Sequence, residues 1–241
     1  MNSSRTARER VRAELTREIA EIARRHLATE GAVGLSLRAV AREMGMSSSA
    51  VYRYFPSKDD LLTTLIIDGY NALGRVVEQA DAGCDRADHG GRWRAVCHAV
   101  RDWALAHPHE YALLYGSPVP GYQAPQDTVA PAMRDTIVFG RIVSEAHEAG
   151  ALTVPAGPMG TGAAGVAEDM ARVREQVMPG VPDAVAVRAV TAWTGVFGWI
   201  GFELFGQFNN VIEHRAALFD HSVAALGALI GLPRPVGEST A

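Results

Sequence analysis

Apolar residues Val11, Leu15, Ile19, Ile22 and Leu27 recur near a 3.6-residue period, with Arg17, Glu18, Glu21, Arg24 and Arg25 opposite them. This pattern predicts a first amphipathic helix. Gly31 falls just past its end, where a left-handed residue commonly closes a helix. Ser36 is placed to cap a second, short helix from Leu37 to Met44. Ser47 is placed to cap a third, which runs to about Phe55 and is stopped by Pro56. Gly45 lies between them and supplies the positive φ of a tight turn. Ser57 and Asp60 form a capping-box-like pair for a fourth helix, which carries Leu61, Leu62, Leu65, Ile66, Tyr70, Leu73 and Val77 to about Ala80.

Further along, Asp81-Ala82-Gly83 and Asp88-His89-Gly90-Gly91 read as a loop. A fifth helix is expected from about Trp93 to Ala106, and a sixth opens at Pro108, a residue suited to a first helical turn. Residues 116–122 form an irregular connection, and a seventh helix runs from about Pro131 to Ala149, ended by Gly150. Residues 153–182 are rich in Gly, Pro and Ala and are expected to be mobile, with one helical piece near Ala167 to Val177. Their GPMGTGAAG stretch is not a phosphate-binding loop, since no strand precedes it and no Lys-Ser/Thr follows. Asp183 is placed to cap an eighth helix of about 24 residues. Trp193, Val196, Phe197, Trp199, Ile200, Phe202, Leu204 and Phe205 make it apolar nearly all round, so it must be covered on both sides. Gly195, Gly198 and Gly201 form a stripe where another helix could approach. Asn210 and Glu213 read as an N-cap pair for a ninth helix. That helix has one apolar row through Ile212, Ala216, Phe219, Val223, Leu226 and Ile230, and a second through Val211, Leu218, Ala225 and Leu229. No strand pattern and no internal repeat occurs. The expected fold is all-α: a three-helix head over residues 11–70, joined by the fourth helix to a larger helical domain over 71–232, with tails at 1–10 and 233–241.

Composition narrows the class. With 241 residues, 48% hydrophobic and 21% charged, the chain is an ordinary globular protein with room for a sizeable core. Its charge is unevenly placed. Residues 1–58 hold ten arginines and one lysine against six glutamates, a net of +5, leaving −9 for the rest of a chain whose formal net charge is −4. A basic head on an acidic body is the asymmetry of a nucleic-acid-binding module attached to something that should not bind nucleic acid. Cys84 and Cys97 have neither zinc spacing nor a disulfide framework. The N-terminus lacks an apolar signal core, which makes a cytoplasmic location the expectation. The longest uncharged apolar run, Ala189 to Phe202, is shorter than the ~20 residues of a membrane span and is bounded by Arg188 and Glu203, so no membrane partner is expected.

The second and third helices around Gly45 follow the helix-turn-helix plan. Val51 and Phe55, one turn apart, face inward; Ser48 with Tyr52, and Ser49 with Arg53, face outward. A helix so placed offers its first side chains to base edges and its flanks to phosphates. Lys58, the only lysine, stands at the first position of the fourth helix, where a cation opposes the helix dipole. A phosphate bound there would explain it; a solvated lysine is the alternative. Trp103, Tyr111, Tyr115, Tyr122, Phe139 and Trp193 could line a cavity for an amphipathic organic molecule, or could be core packing. His107 and His109 flank a proline at a helix junction, which favours capping or surface roles over a metal site. No nucleophile elbow or Ser-His-Asp order is present, so neither enzymatic activity nor a cofactor or metal is expected.

Residues 36–62, SLRAVAREMGMSSSAVYRYFPSKDDLL, resemble the signature of the TetR family of bacterial transcriptional regulators. The stretches HPHEYALLYGSPVPGY and WTGVFGWIGFELF are similar to the C-terminal domain of an actinobacterial-type subgroup. The resemblance implies that Tyr52 binds a backbone phosphate, that Lys58 anchors to phosphate, and that Arg38 contacts a base or phosphate. The expected DNA-binding set is Arg38, Ser47, Ser48, Ser49, Tyr52, Arg53, Tyr54 and Lys58. Short serine hydroxyls reach less far than Arg or Gln, so Arg38 and Arg53 would supply much of the direct readout. The resemblance further implies a homodimer through the last two long helices, double-stranded operator DNA as partner, and a small organic effector that releases a repressor. A transcriptional activator, a ligand-independent architectural protein and a metal-using enzyme built on His107 and His109 are the rival readings.

Overall fold

The computed structural model describes residues 2–157 and 165–235, with side chains from Thr6 onward. The stretch read as not being a phosphate loop lies outside the described residues from 158 to 164, as does the C-terminal tail from 236. Among the described residues, the regular elements are all helices. They are α1 (Asn2–Gly34), α2 (Leu37–Glu43), α3 (Ser48–Val51), α4 (Lys58–Ala82), α5 (His89–Ala106), α6 (Pro108–Tyr115), α7 (Val129–Glu148), α8 (Val166–Val177), α9 (Asp183–Leu204) and α10 (Arg215–Ile230). A 3₁₀ turn, Gln126–Thr128, leads into α7. The chain packs as two units: Met1–Tyr70 with His107–Pro131, and Asn71–Ala106 with Ala132–Ala241. Residues 107–131, expected with the C-terminal domain, thus pack with the head.

In the first unit α1 starts well before Val11 and takes in most of the expected N-terminal tail, because its polar first turns carry no apolar stripe to reveal them. Gly31 adopts φ 67° and breaks the helix there, although one more helical turn follows. Gly45 turns the chain between α2 and α3 at φ 66°. Ser36 and Ser47 hold the extended backbone of N-caps, yet neither side chain makes a capping bond. The Ser47 and Ser49 hydroxyls meet each other at 3.1 Å instead. The third helix is also shorter than expected. Regular α-structure ends at Val51, and the Tyr54 and Phe55 amides both donate to the Val51 carbonyl, at 2.9 and 3.1 Å. At the head of α4 the cap does form: the Asp60 amide donates to Ser57 Oγ at 3.1 Å, and that hydroxyl donates to Asp60 Oδ2 at 2.7 Å. Ile19, Ala23, Leu35, Val40, Val51, Phe55 and Leu61 form the core, with Leu113, Val119 and Tyr122 packed against it from the returning segment. A Cβ on Gly69 would sit 3.4 Å from Leu114, so α6 lies close on α4.

In the second unit α5 begins at His89 rather than Trp93. Asp88 caps it by accepting the Gly91 amide at 2.8 Å. The two glycines that read as loop are there for space: a Cβ on Gly90 would lie 2.1 Å from the Pro233 carbonyl oxygen. α9 buries Val185, Ala189, Ala192, Val196 and Ile200 and leaves Phe202 and Phe205 exposed. Its 22 residues are long and apolar enough to cross a membrane, but it packs against α5, α8 and α10 and carries the buried charges Arg188 and Glu203, as a core helix does. Of the glycine stripe, Gly195 faces Leu226, while Gly198 faces open space.

α10 starts at Arg215, with His214 at its N-cap, four residues later than the Asn210–Glu213 pair suggests. Asn210 instead turns the chain at φ 61°, a left-handed conformation that Asn tolerates better than most residues. Phe219, Val223 and Ile230 of the first apolar row are buried, while Leu218 and Ala225 of the second are exposed.

This unit also buries charge. Arg92, fully buried, donates from Nε to Asp81 at 2.7 Å and from Nη1 to Glu145 at 2.6 Å. Burial pushes the Asp81 carboxyl upward, but hydrogen bonds from Arg92 and Arg86 outweigh it and hold the group below its ordinary range. Arg101 and Glu203 pair bidentately at 2.8 and 2.7 Å, also out of water.

Candidate nucleic-acid interface

α2 and the segment from Ser47 to Phe55 are held on the first unit by Leu37, Val40, Ala41, Val51 and Phe55, all buried. The alternation that buries Val51 and Phe55 turns Ser49, Tyr52 and Arg53 to solvent, Tyr52 with 41% of its surface exposed. Ser47 and Arg38 are exposed too, and Ser48 is half-buried. The guanidinium groups of Arg38 and Arg53 enter no ion pair among the described residues, so both keep their full donor sets for an outside acceptor. One compact face therefore presents two unpaired arginines, three serines and a phenol. Planar guanidinium forks suit phosphate and guanine edges, and serine and tyrosine hydroxyls suit phosphate oxygens.

Two expected contacts have other tasks as well. Lys58 is half-buried and donates from Nζ to the Val33 carbonyl at 2.6 Å, tying the start of α4 to the last turn of α1. An ammonium has three donors, so this bond leaves capacity for a phosphate. Tyr54 is half-buried, with the Arg12 guanidinium 5.3 Å from its ring centroid. Arg12 also donates from Nη2 to the Arg53 carbonyl at 3.2 Å. Glu43 joins α2 to α1 through Arg25 at 2.7 Å and His26 at 2.6 Å, and those two bonds, Arg25 first, draw its carboxyl below the ordinary range. Arg12, Val33 and Glu43 were not legible as parts of this face. Two act through backbone carbonyls, which no side-chain pattern records, and Glu43 reads as one more solvated charge on α2.

The six aromatics divide between the units. In the first, Tyr122 packs on the head core and its hydroxyl meets that of Thr63 at 2.9 Å. Tyr115 stands edge-on to Tyr70 at 6.0 Å and tilted against Tyr111 at 5.0 Å. Burial drives the Tyr111 phenol well above its ordinary pKa. In the second, Trp103 and Phe139 are buried, and Phe139 lies edge-on to Trp93 at 5.4 Å. Trp193 tilts against Phe197 at 5.2 Å, and its buried indole N–H has no acceptor among the described residues. A groove of about 540 Å³ along α10, lined by Trp93, Arg94, Asp220, Ala224 and Ala228 among others, includes none of the six. His107 and His109 are exposed, and no three described His, Cys, Asp or Glu side chains are grouped to hold a metal.

Comparison with known proteins places both parts of the chain. Residues 19–65, which contain the face just described, match the tetR family of bacterial regulatory proteins, and residues 93–226 match a tetracyclin repressor-like C-terminal domain. The HTH-type transcriptional regulator Rv1816 of Mycobacterium tuberculosis is 38% identical over 232 residues, covering 94% of each chain. The crystal structure of regulatory protein SCO4313 superposes with a TM-score of 0.71 at 33% identity, over 90% of this chain and 97% of that one. A protein of unknown function from Rhodococcus sp. RHA1 gives 0.65 at 27% identity, over 90% and 93%. The matched family is one of transcriptional regulators rather than enzymes, and the head carries its DNA-binding element. The chain belongs to the tetR family of bacterial transcriptional regulators.

Proposed function

We propose that the protein is a homodimeric repressor that binds operator DNA through Arg38, Ser47, Ser48, Ser49, Tyr52, Arg53, Tyr54 and Lys58, and leaves it when a small organic effector binds the second unit. The observation that carries this reading is the pair of unpaired guanidinium groups, Arg38 and Arg53, beside exposed Tyr52 on a buried Val51–Phe55 anchor. Tyr52 and Lys58 grip phosphate; Arg38 and Arg53 read bases, since the serines between them are short. Tyr54 contributes by its ring, which steadies Arg12 and with it the Arg53 backbone.

Dimerisation through α9 and α10 is supported by the apolar surface these helices leave in water: Phe202 at 55% exposure, Phe205 at 47% and Leu218 at 38%. Effector binding is supported by the indole N–H of Trp193, buried without an acceptor among the described residues, which suits a carbonyl or ether oxygen on a ligand. Trp103 and Phe139 supply aromatic surface in the same unit. Tyr111, Tyr115 and Tyr122 have ring or hydroxyl partners in the first unit and are the weaker half of the expected set. An effector that binds better to a dimer with wrongly spaced heads is sufficient for release. α4, which belongs to both units, is the continuous link along the chain. Repression is supported by DrrR1 of Streptomyces coeruleorubidus, a transcriptional repressor 38% identical over 77 residues, 32% of this chain and 25% of that protein. The protein acts where the chromosome is, in the cytoplasm.

Footprinting of the purified full chain across its genome tests the reading. It should protect a few two-fold symmetric sites, with half-sites ~34 Å apart or at a multiple of that distance. Uniform protection would leave an architectural protein instead of a regulator, and genes that fall silent when the protein is deleted would make it an activator.

A further inference from the structure

We propose that the first turns of α1 form a second phosphate grip beside the recognition segment, carried by Arg8 and Arg12. The proposal rests on the DNA-binding reading above and extends the interface to residues outside the helix-turn-helix.

Residues 6–14 of α1 are exposed on all sides, and burial begins in earnest at Ile19. These turns therefore contribute nothing to the core; Arg, Ala and Glu favour a helix there by propensity alone. One contact fixes where the strip points. Arg12 lies over the Tyr54 ring at 5.3 Å and donates to the Arg53 carbonyl at 3.2 Å, which pins this part of α1 to the end of the recognition segment. Arg8 is one turn earlier on the same helix face. Ala7, Arg8, Val11, Arg12 and Tyr54 line an open groove of about 430 Å³. Neither arginine is ion-paired among the described residues, although Glu9 and Glu14 lie on the same helix.

Duplex DNA is the occupant that fits this groove. Two guanidinium groups without an ion pair among the described residues stand in its lining and suit a polyanion, while the apolar surface beside them, from Ala7, Val11 and the Tyr54 ring, is too short for a partner helix. The groove also runs from Tyr54, next to Arg53 and Tyr52, so a strand contacted by those residues continues along it. Contacts of this type add affinity without sequence preference, because they meet phosphate and not base edges.

The test is fluorescence anisotropy of the full chain on a mixed-sequence duplex and on a footprinted site, over a range of salt concentrations. Arg8→Ala should lower the slope of log affinity against log salt by ~0.9 for each phosphate it no longer neutralises, equally on both duplexes. Arg8→Lys should restore most of it, and Arg12→Ala should lower it at least as much. A wild-type slope in Arg8→Ala, with Lys58→Ala lowering it, overturns the second grip and leaves the operator-binding reading in place. Failure of the wild-type chain to bind either duplex overturns both.

Discussion

The two units place charge and apolar surface in opposite ways. The first hides a small apolar core that includes Val40, Val51, Phe55 and Leu61 and turns its arginines outward with no acidic partner for Arg8, Arg38 or Arg53 among the described residues. The second buries its charges, Arg92 with Asp81 and Arg101 with Glu203, and shows water Phe202, Phe205 and Leu218. An outward, unpaired cation keeps its hydration until a polyanion replaces it, so the first surface is complete as it stands and binds by exchange of counterions. Exposed apolar surface gains only when water leaves, so the second is the place where the proposed partner subunit would add most. Buried ion pairs sustain that arrangement by fixing helix positions, but they do so at a large desolvation cost that each partner offsets only while the other is present.

The contrast can be broken most severely at those pairs. Glu203→Ala leaves Arg101 charged and buried, and unfolding in urea should show a loss of ~3–5 kcal/mol. Replacing both residues, Arg101→Met with Glu203→Leu, should return most of it. A Glu203→Ala loss no larger than that of an exposed substitution would erase the difference between the units. Next in size, Phe202→Asp should weaken self-association by ~2 kcal/mol or more in sedimentation equilibrium, if that ring is central to the α9–α10 seam; an unchanged association constant would move the seam elsewhere. Arg38→Ala should cost ~1–3 kcal/mol on a footprinted site and little on mixed DNA. Equal weakening on both would make Arg38 a phosphate anchor.

The smallest effect is a pH dependence. Asp220 is drawn down to about 2, chiefly by its hydrogen bonds from Arg94 and secondarily by His98, against the opposing effect of burial. A depressed carboxyl stabilises the fold above its ordinary pKa of ~4. That contribution fades as pH falls from there toward 2, where the folded form also takes up a proton. The melting temperature of Asp220→Asn should therefore change less over this window than that of the wild type. Parallel curves would assign the acid sensitivity to other groups.

What was legible from residue order follows from how local each cause is. Gly45, the Ser57–Asp60 cap and the inward Val51–Phe55 pair depend on neighbours within one turn, and all appear where the pattern puts them. Asp88-His89-Gly90-Gly91 misled because Gly90 answers to Pro233, far along the chain, and Gly91 to the Asp88 side chain that caps the helix, not to a loop. Asn210 misled because the residue types that cap helices are the ones that tolerate left-handed turns, and here the turn won. The α1 extension had no apolar face to read. On the proposed DNA-binding face, exposure of Tyr52 and Arg53 followed from helical phase, whereas the Lys58–Val33 bond and Arg12 on the Arg53 carbonyl are tertiary contacts to backbone, invisible to side-chain patterning.

The return of residues 107–131 to the first unit has a consequence for any attempt to move this head onto another protein. A fragment cut at Tyr70 would be without the Leu113, Val119 and Tyr122 side chains that cover its core, the Tyr122–Thr63 hydroxyl pair and the ion pair of Glu110 with Arg24 at 3.4 Å. The portable module is discontinuous. A chimera that exchanges the DNA-reading part must take its second segment along, or supply an equivalent lid in the host.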